Sequence, residues 1–334
     1  MSKLSYRDIK QKNLMKDMEE AAAKQTEDEL FTFADYDEKE SEKTGYSNYS
    51  YWRSTMRAFF KNKAAVVLLV MMLLLVVFTF IQPYLPGQYD PNLIINDENG
   101  MQYRNVPPGD KFIWGTNSIG QDLWARIWAG TRTSLFIGIV VALVEAAVGI
   151  TVGVLWGYVR KLDWIFTEIY NVIDNIPNTI ILILISYILK PSVKTLIFAM
   201  CLTGWIQMAR FVRNQILIIR DRDYNVASRC LGTSTWKIMF KNLLPYLISV
   251  IMLRMALTIP AAIGNEVFIT YIGLGLPVNV PSLGNLINDG RAMITSANLR
   301  YQLVYPTIVL SFVTISFYII GNAFSDAADP KNHV

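Results

Sequence analysis

The sequence predicts an all-α polytopic membrane protein with six transmembrane helices and both termini on the cytoplasmic side. Of its 334 residues, 52% are hydrophobic and only 17% are charged, whereas soluble domains contain roughly a quarter charged residues. Six apolar runs approach the roughly 20 residues that a helix needs to cross a bilayer. The predicted spans are residues 64–82, 134–158, 164–189, 195–213, 246–266 and 303–321.

Basic residues fix the orientation of these spans. Lys and Arg are concentrated before the first span, in the short turn between the second and third spans, and in residues 210–241 between the fourth and fifth. Short cytoplasmic connections carry an excess of Lys and Arg. These three regions are therefore predicted to be cytoplasmic, and residues 82–133 and 273–300 are predicted to face outside.

An acidic segment, residues 1–50, precedes the transmembrane domain, which is predicted to cover residues 51–334. The segment contains the runs DMEE, EDEL and DYDEKESEK. High charge with low hydrophobicity favours a mobile cytoplasmic tail that acts as a solvated tether. A docking role for the stretch DELFTFADYDE is the alternative.

The reactive side chains of the sequence exclude several kinds of site. Cys201 and Cys230 have no neighbours at metal-ligand spacing, and the single histidine is His333. A zinc site or a Ser/His catalytic pair is therefore excluded, and no catalytic, metal-binding or cofactor-binding residue is predicted. The chain also lacks the G-x-x-x-x-G-K-[ST] motif that binds ATP phosphates. Nothing in the sequence indicates nucleic-acid binding.

A basic stretch between spans four and five, residues 224–245, reads as two short helices. The first, YNVASRCL, is followed by Gly232, where a residue with positive φ would end a helix. Thr233 or Ser234 can cap the second helix, TWKIMFKNLL, which Pro245 is expected to limit. Such a helix–glycine–helix elbow suits a lever inserted into a partner's groove. An ordinary amphipathic interfacial loop is the alternative.

The elbow resembles the EAA loop of binding-protein-dependent ABC importer permeases, whose pattern is E-A-A-x-x-x-G, nine residues, then roughly x-I-L-P. The sequence departs from that pattern at Val226, Ser228 and Asn242, where the family has Glu, Ala and often His. The resemblance implies that residues 220–245 couple the chain to ATPase subunits. The residues it assigns to this role are Val226, Ala227, Ser228, Gly232, Leu244 and Pro245.

Three further segments resemble the oligopeptide/dipeptide/nickel permease subfamily. WGTNSIGQDLWARIWAGTRTSLFIG resembles its F-G-T-D-x-x-G-R-D run, with Asn117 and Gln121 in place of Asp and Arg. EVFITYIGLGLPVNVPSLGNLINDG and the terminal GNAFSDAADP resemble two other motifs of the subfamily. The resemblance covers about residues 51–330. Together with the acidic tail, it looks most like the C type of oligopeptide permease subunit in Gram-positive bacteria.

This resemblance implies a plasma-membrane transport subunit that imports oligopeptides. A homologous second permease would complete one pore, two ATP-binding subunits would carry ATP and Mg, and an extracellular substrate-binding protein or lipoprotein would deliver the peptide. Dipeptides, nickel or other small cargo are the alternative within the family. A secondary transporter is less favoured, because such folds often contain an inverted repeat with broken helices and none is visible here.

The outer segment GLGLPVNVPSLG contains too much Gly and Pro for a helix or strand, and it reads as an ordered loop over the pore mouth. The candidate residues for docking the binding protein are Gly273, Gly275, Pro277, Pro281 and Gly284.

Two features of the spans bear on packing and on the pore. Gly149, Gly153 and Gly157 form successive G-x-x-x-G steps that would let another helix approach closely. Pro177 interrupts the third span and frees carbonyl groups, so it would bend that helix or line a cavity there. A passive kink is the alternative for Pro177.

Two charges, Glu145 and Arg254, lie near the middle of the second and fifth spans. An unpaired charge at that depth costs roughly 3 kcal/mol on insertion scales. The two side chains are expected to pair across the bundle, to line the translocation path separately and attract the termini of a peptide, or to pair with the sister subunit. Depth alone leaves these three alternatives open.

Overall fold

A computed structural model of the chain describes residues 51–328, so both predictions for the acidic segment 1–50 lie outside the described residues. The described part is helical and contains no β-strand, which confirms the predicted all-α class. The helices are α1 Tyr51–Lys61, α2 Lys63–Ile81, α3 Leu123–Tyr158, α4 Arg160–Asp174, α5 Asn178–Leu189, α6 Val193–Ile219, α7 Asp223–Cys230, α8 Leu244–Tyr271, α9 Leu283–Ala292 and α10 Tyr301–Ala328.

Five helices between residues 51 and 328 are long and apolar enough to cross a membrane, and α4 and α5 together supply a sixth span if they count as one. These two helices meet at an angle of 73°. The break ends at Pro177, which immediately precedes α5. Proline lacks a backbone N–H and disfavours the helical conformation of the residue before it. The third predicted span is therefore broken near its middle.

Several helices extend beyond the apolar runs that predicted them. Helix α3 begins at Leu123, well before residue 134, because the Asp122 side chain caps it by accepting a hydrogen bond of 2.9 Å from the Ala125 N–H. Helix α10 likewise continues to Ala328. Polar residues end a hydropathy signal, but they do not end a helix unless they break its backbone hydrogen bonds.

The glycine steps of α3 pack against α6, as their spacing predicted. A β-carbon at Gly153 would lie 2.5 Å from the Ala209 carbonyl oxygen, and one at Gly157 would lie 2.8 Å from Ile216 Cβ. Gly149 faces α6 in the same way. Only glycine allows two backbones to approach this closely, so the pair α3–α6 forms a tightly packed centre for the bundle.

Helix α8 packs beside this pair and carries the buried end of the basic elbow. The apolar core there joins side chains of α3, α6 and the start of α8. Its fully buried members include Val154, Val212, Ile216, Ile238, Leu243. Because residues from the elbow itself belong to this core, the elbow is packed against the bundle and is not a free loop.

Candidate functional site

The first arm of the elbow is α7, and it ends as the sequence predicted. Gly232 has φ +76°. The Gly232 N–H donates to the Arg229 carbonyl, and the Thr233 N–H donates to the Ser228 carbonyl, each at 3.0 Å. This pair of bonds is the Schellman arrangement that closes a helix C-terminus. A β-carbon at Gly232 would meet nothing within 4 Å, so glycine is needed here for its backbone conformation rather than for space.

The second arm differs from its prediction, because Pro245 does not limit it. A helical run extends from Thr235 to Tyr271 without interruption. Residues 238–243 form a π-helical turn, in which the Leu244 N–H bonds to the Met239 carbonyl. This wider turn resets the hydrogen-bond register. Pro245 then falls in the first turn of α8, where a helix needs no donor from it.

Side-chain amides hold the two arms of the elbow together. Asn242 Nδ2 donates to Ser228 Oγ at 3.3 Å and lies 3.5 Å from Asn225 Oδ1. Asn225 is fully buried, and its Nδ2 donates to the Ile219 carbonyl at the end of α6 at 2.9 Å. Both arms are therefore fixed to each other and to the bundle. Ser234 begins the second arm without a side-chain capping bond.

The elbow exposes large apolar side chains beside its basic residues, although its lower side is buried. Leu231 at the bend is 86% exposed and Trp236 is 59% exposed. The ring of Trp236 stacks on Phe240 with the centroids 5.6 Å apart. Large exposed apolar side chains grouped on one ridge indicate a contact surface for another protein.

The six predicted coupling residues divide between this surface and the packing beneath it. Val226, Ala227, Gly232 and Pro245 are exposed, whereas Ser228 and Leu244 are half-buried. Ser228 takes part in the contact between the arms.

Asp221, just before the elbow, is a hub of ion pairs that the sequence analysis did not identify. Its carboxylate forms ion pairs with Arg220 Nε and Arg229 Nη2, each at 3.1 Å, and with Arg160 Nη2 at 3.8 Å. The hydrogen bond from Arg229 lowers the pKa of Asp221; burial opposes this effect, and the hydrogen bond and charge of Arg220 add to it. The hub joins the α3–α4 turn to the end of α6 and to α7.

The two intramembrane charges, Glu145 and Arg254, line one cavity of about 190 Å³. Its walls come from α3, α5, α6 and α8, and it lies beside the break at Pro177, since Asn178 is one of its lining residues. Among the described residues, no ion pair within 4.0 Å joins the two charges. The other polar side chains of the wall are Asn178, Thr203, Gln207, Thr258 and Asn265.

The predicted outer loop is irregular over residues 273–282, as its composition indicated, but it is followed by the unanticipated helix α9. Gly273 is exposed with φ +82°, and Pro277 and Pro281 are half-buried. Gly275 and Gly284 are buried, so they serve packing and not an exposed docking surface. A β-carbon at Gly284 would lie 2.5 Å from Glu266 Oε1.

Glu266 in α8 is fully buried and organises this loop. Its carboxyl group accepts hydrogen bonds from Ser282 Oγ at 2.7 Å, Ser134 Oγ at 3.1 Å and Thr270 Oγ1 at 3.3 Å. Ser282 is also the N-cap of α9, and the Leu283 N–H donates to Ser134 Oγ at 3.1 Å. The carboxyl group therefore joins α3, α8 and α9 at the start of α9.

Arg126 in α3 plays a similar part between the loop and the preceding outer segment. It is 1% exposed. Its Nη1 donates to Gln121 Oε1 at 2.5 Å and to the Pro91 carbonyl at 3.2 Å, and its Nη2 donates to the Val278 carbonyl at 3.3 Å. The motif around Asp122 and Arg126 therefore joins the segment before α3 to the loop before α9.

Comparison with known proteins identifies the family. Residues 149–334 match the family described as the binding-protein-dependent transport system inner membrane component. The chain belongs to this family. Residues 50–108 match the N-terminal TM domain of oligopeptide transport permease C. Family membership and the apolar helices make the chain a multi-pass membrane permease subunit.

The relatives align over nearly their whole length. The chain is 38% identical to the oligopeptide transport system permease protein AmiD of Streptococcus pneumoniae, over 91% of the chain and 98% of AmiD. It is 34% identical to the dipeptide transport system permease protein DppC of Bacillus subtilis, over 92% of the chain and 94% of DppC. It is 31% identical to the oligopeptide transport system permease protein OppC of Bacillus subtilis, over 87% of the chain and 93% of OppC.

A solved structure supports the fold. One chain of the MetNI methionine ABC transporter, described as inward-facing, superposes with a TM-score of 0.50 at 21% identity. The match covers 60% of this permease and 97% of that chain. At this level of identity the likeness concerns the fold alone.

Two residues of the permease that hold the loop before α9, Glu266 and Arg126, were missed as sites by sequence reasoning. Both stand in the stretches that resemble the subfamily motifs. A signal was present, because an ionisable residue next to or within an apolar run must be paired or solvated. What the sequence did not contain was the identity of the partners, which lie far away along the chain.

Proposed function

We propose that this permease is the C-type subunit of an ATP-driven importer of oligopeptides. The observation that carries the proposal is the near full-length similarity to permeases named for oligopeptide transport, which reaches 38% identity. Dipeptides are the second candidate substrate, favoured by the similarity to a dipeptide permease at 34% identity. The alternatives with other cargo, such as nickel, are outcomes of the test below.

The chain forms half of a pore and pairs with a homologous second permease. Support comes from the cavity beside the α4–α5 break, which places Glu145 and Arg254 in a polar space inside the helix bundle. Charged residues at membrane depth usually face a water-filled path or a partner. The bend at Pro177 helps to open this space, because it turns α5 away from α4 by 73°.

Two ATP-binding subunits, which carry ATP and Mg, engage the elbow. The exposed ridge of Leu231 and Trp236 offers the contact surface. The uninterrupted helical run Thr235–Tyr271 then continues from the elbow to the cavity wall at Arg254. Movement of the elbow on ATPase closure therefore moves that wall, and the pore alternates its opening.

On the opposite side, an extracellular substrate-binding protein docks over the outer loop. The exposed positions Gly273 and Val278, with Pro277 and Pro281 beside them, form the candidate surface. Glu266 and Arg126 fix this loop to the bundle. Because the loop is fixed to Glu266, and Glu266 belongs to α8, docking of the binding protein on the loop can shift α8.

ATP-dependent uptake in vesicles tests this proposal. The permease is reconstituted with the second permease, the two ATPase subunits and the binding protein, and uptake of labelled peptides is measured with and without ATP. Mass spectrometry of the cargo that co-purifies with the binding protein then identifies peptide length. Uptake driven by an ion gradient without ATP would support a secondary transporter, and nickel or another non-peptide cargo would overturn the substrate class.

Cysteine labelling tests the proposed six-span topology with both termini inside. Cysteines replacing Asn279 in the outer loop and Thr233 in the elbow are expected to react from opposite sides of the membrane. An impermeant thiol reagent added to intact cells should modify only Asn279→Cys. Modification of both positions from outside would contradict the six-span arrangement.

A further inference from the structure

The cavity contains two opposite charges that lack partners in the part of the chain that the structure describes. Among residues 51–328, neither the Glu145 carboxylate nor the Arg254 guanidinium makes a hydrogen bond or an ion pair within 4.0 Å. The two groups come from different helices, α3 and α8. A charge at this depth must face water or a ligand of opposite charge.

Neighbouring charges in the same part of the bundle are paired. Asp174, at the end of α4, accepts a hydrogen bond of 2.5 Å from Gln207 Nε2 and lies 3.8 Å from Arg210 Nη1. Gln207 is also a lining residue of the cavity. A charged group near the cavity can therefore find partners within the bundle, as Asp174 does, whereas Glu145 and Arg254 have none among residues 51–328.

The packing of α6 makes room for the Glu145 carboxylate. A β-carbon at Gly204 would lie 1.7 Å from Glu145 Oε1, so any other residue at position 204 would displace the carboxylate. The glycine thus allows Glu145 to lie against α6, within the cavity that Arg254 also lines.

The size and the polar groups of the cavity fit a peptide end. Its volume of about 190 Å³ is below the roughly 300 Å³ of the smallest ligand pockets that enclose a drug-sized molecule. It is therefore too small for a whole oligopeptide. The side-chain amides of Asn178, Gln207 and Asn265 offer donors and acceptors that match peptide groups.

We propose that this cavity is a subsite for the charged ends of a peptide in transit, where Arg254 binds an α-carboxylate and Glu145 binds an α-ammonium group. A two-residue peptide, at most about 7 Å long when extended, presents both ends together. A longer peptide presents its ends in turn. The proposal rests on peptide import as the proposed function.

Uptake of end-blocked peptides tests the subsite in the complete reconstituted importer. One peptide is used in four forms: free, N-acetylated, C-amidated and blocked at both ends. Arg254→Gln is expected to lower the preference for a free over an amidated C-terminus by about tenfold in kcat/KM, the effect of losing roughly one charge-assisted hydrogen bond. Glu145→Gln is expected to lower only the preference for a free N-terminus, by a similar factor.

The comparison of preferences removes the contribution of the binding protein, because the same binding protein delivers all peptides to wild type and variants. Arg254→Lys and Glu145→Asp are the matched controls, and each should restore part of the lost preference. If both Gln variants slow all four peptides by the same factor, the subsite is wrong although peptide import stands. If the wild-type importer takes up no peptide with ATP, the proposed function itself fails.

A second measurement does not depend on the charge variants being well assembled. Asn265→Cys is placed in a chain whose Cys201 and Cys230 are replaced by serine, and its modification by a thiol reagent is timed during transport. The free peptide should slow the modification, and the doubly blocked peptide should not. Equal protection by both peptides, or protection by neither, would overturn the subsite.

Discussion

Glu145 and Glu266 both lie on helices predicted to cross the membrane, but the structure surrounds them in opposite ways. Glu266 is fully buried and accepts hydrogen bonds from three hydroxyl groups on α3, α8 and the loop before α9. Glu145 is half-buried in a polar cavity, without such a bond to any described residue. A buried polar group with all its partners stabilises one arrangement of the chain. A polar group without partners is available to bind a substrate that passes through the cavity.

The same contrast separates the two ends of the permease from its middle. Arg126 at the start of α3 and Asp221 beside the elbow each hold several chain segments together. Arg254 in the middle has no such role. Rigid ends with an open polar centre suit a lever, because force applied at the elbow is transmitted to the cavity instead of being lost in flexible joints.

The largest expected effect comes from Glu266→Ala. The substitution leaves the Ser134 and Ser282 hydroxyl groups without their buried acceptor, at a cost of about 3 kcal/mol in folding stability, since each unsatisfied group costs roughly 1–3 kcal/mol. Thermal unfolding of the purified permease in detergent measures the loss. Glu145→Ala is the matched control and should change the unfolding temperature little. Equal destabilisation by the two substitutions would contradict the claim that Glu266, and not Glu145, holds the structure together.

Gly232→Val should come next. A β-branched residue at φ +76° carries a penalty on the order of 1–2 kcal/mol and redirects the second arm of the elbow. Assembly should survive, but ATP hydrolysis should no longer depend on substrate. Gly264→Val is the control, because a β-carbon there also meets nothing within 4 Å and the backbone is helical. Normal uptake by Gly232→Val would contradict the coupling role of the bend.

The positions of these two residues show what the sequence could predict. Gly232 was predictable because a glycine that ends a helix acts within a few residues. Pro245 was misjudged because the π turn before it depends on burying Ile238, Met239 and Leu243 in a core built by other helices. Glu266 was missed as a site because one of its partners, Ser134, is 132 residues away along the chain.

Helix α9 illustrates the same limit. Its short amphipathic sequence follows a Gly- and Pro-rich loop, and the sequence analysis placed it only within the outside-facing segment 273–300. Local propensity for a helix of this length is marginal. What stabilises its first turn is the Ser282 cap and the contact with Glu266 and Ser134, which exists only once α3 and α8 have packed.

The double substitution Glu145→Gln with Arg254→Gln tests whether the two charges form a direct pair. A direct pair would make each single variant less stable and let the double variant recover. The open cavity instead predicts that the stability changes add, with a coupling below about 0.5 kcal/mol. Unfolding of the wild type, the two single variants and the double variant in detergent measures this coupling. Recovery in the double variant would favour pairing and would contradict the separate roles proposed for the two charges.

Asp221 should show the smallest effect, and its sign follows from its lowered pKa. The ion pairs with Arg220 and Arg229 stabilise the charged carboxylate. The stability that they contribute is therefore present above the ordinary carboxyl pKa of about 3.9 and is lost as pH falls through the lower value of the folded permease. Because the Asp221 side chain is 48% exposed, solvent screening limits that contribution to about 1 kcal/mol or less.

Thermal unfolding of Asp221→Asn at several pH values checks this expectation. At neutral pH the variant should unfold at a slightly lower temperature than the wild type, and the difference should shrink with added salt. It should also shrink as the pH is lowered through the folded-state pKa, where the wild type loses the same charge. Asp110→Asn, which alters an exposed carboxylate of the outer segment, should differ from wild type at neither pH. A difference for Asp221→Asn that grows on acidification would mean that these ion pairs do not stabilise the base of the elbow.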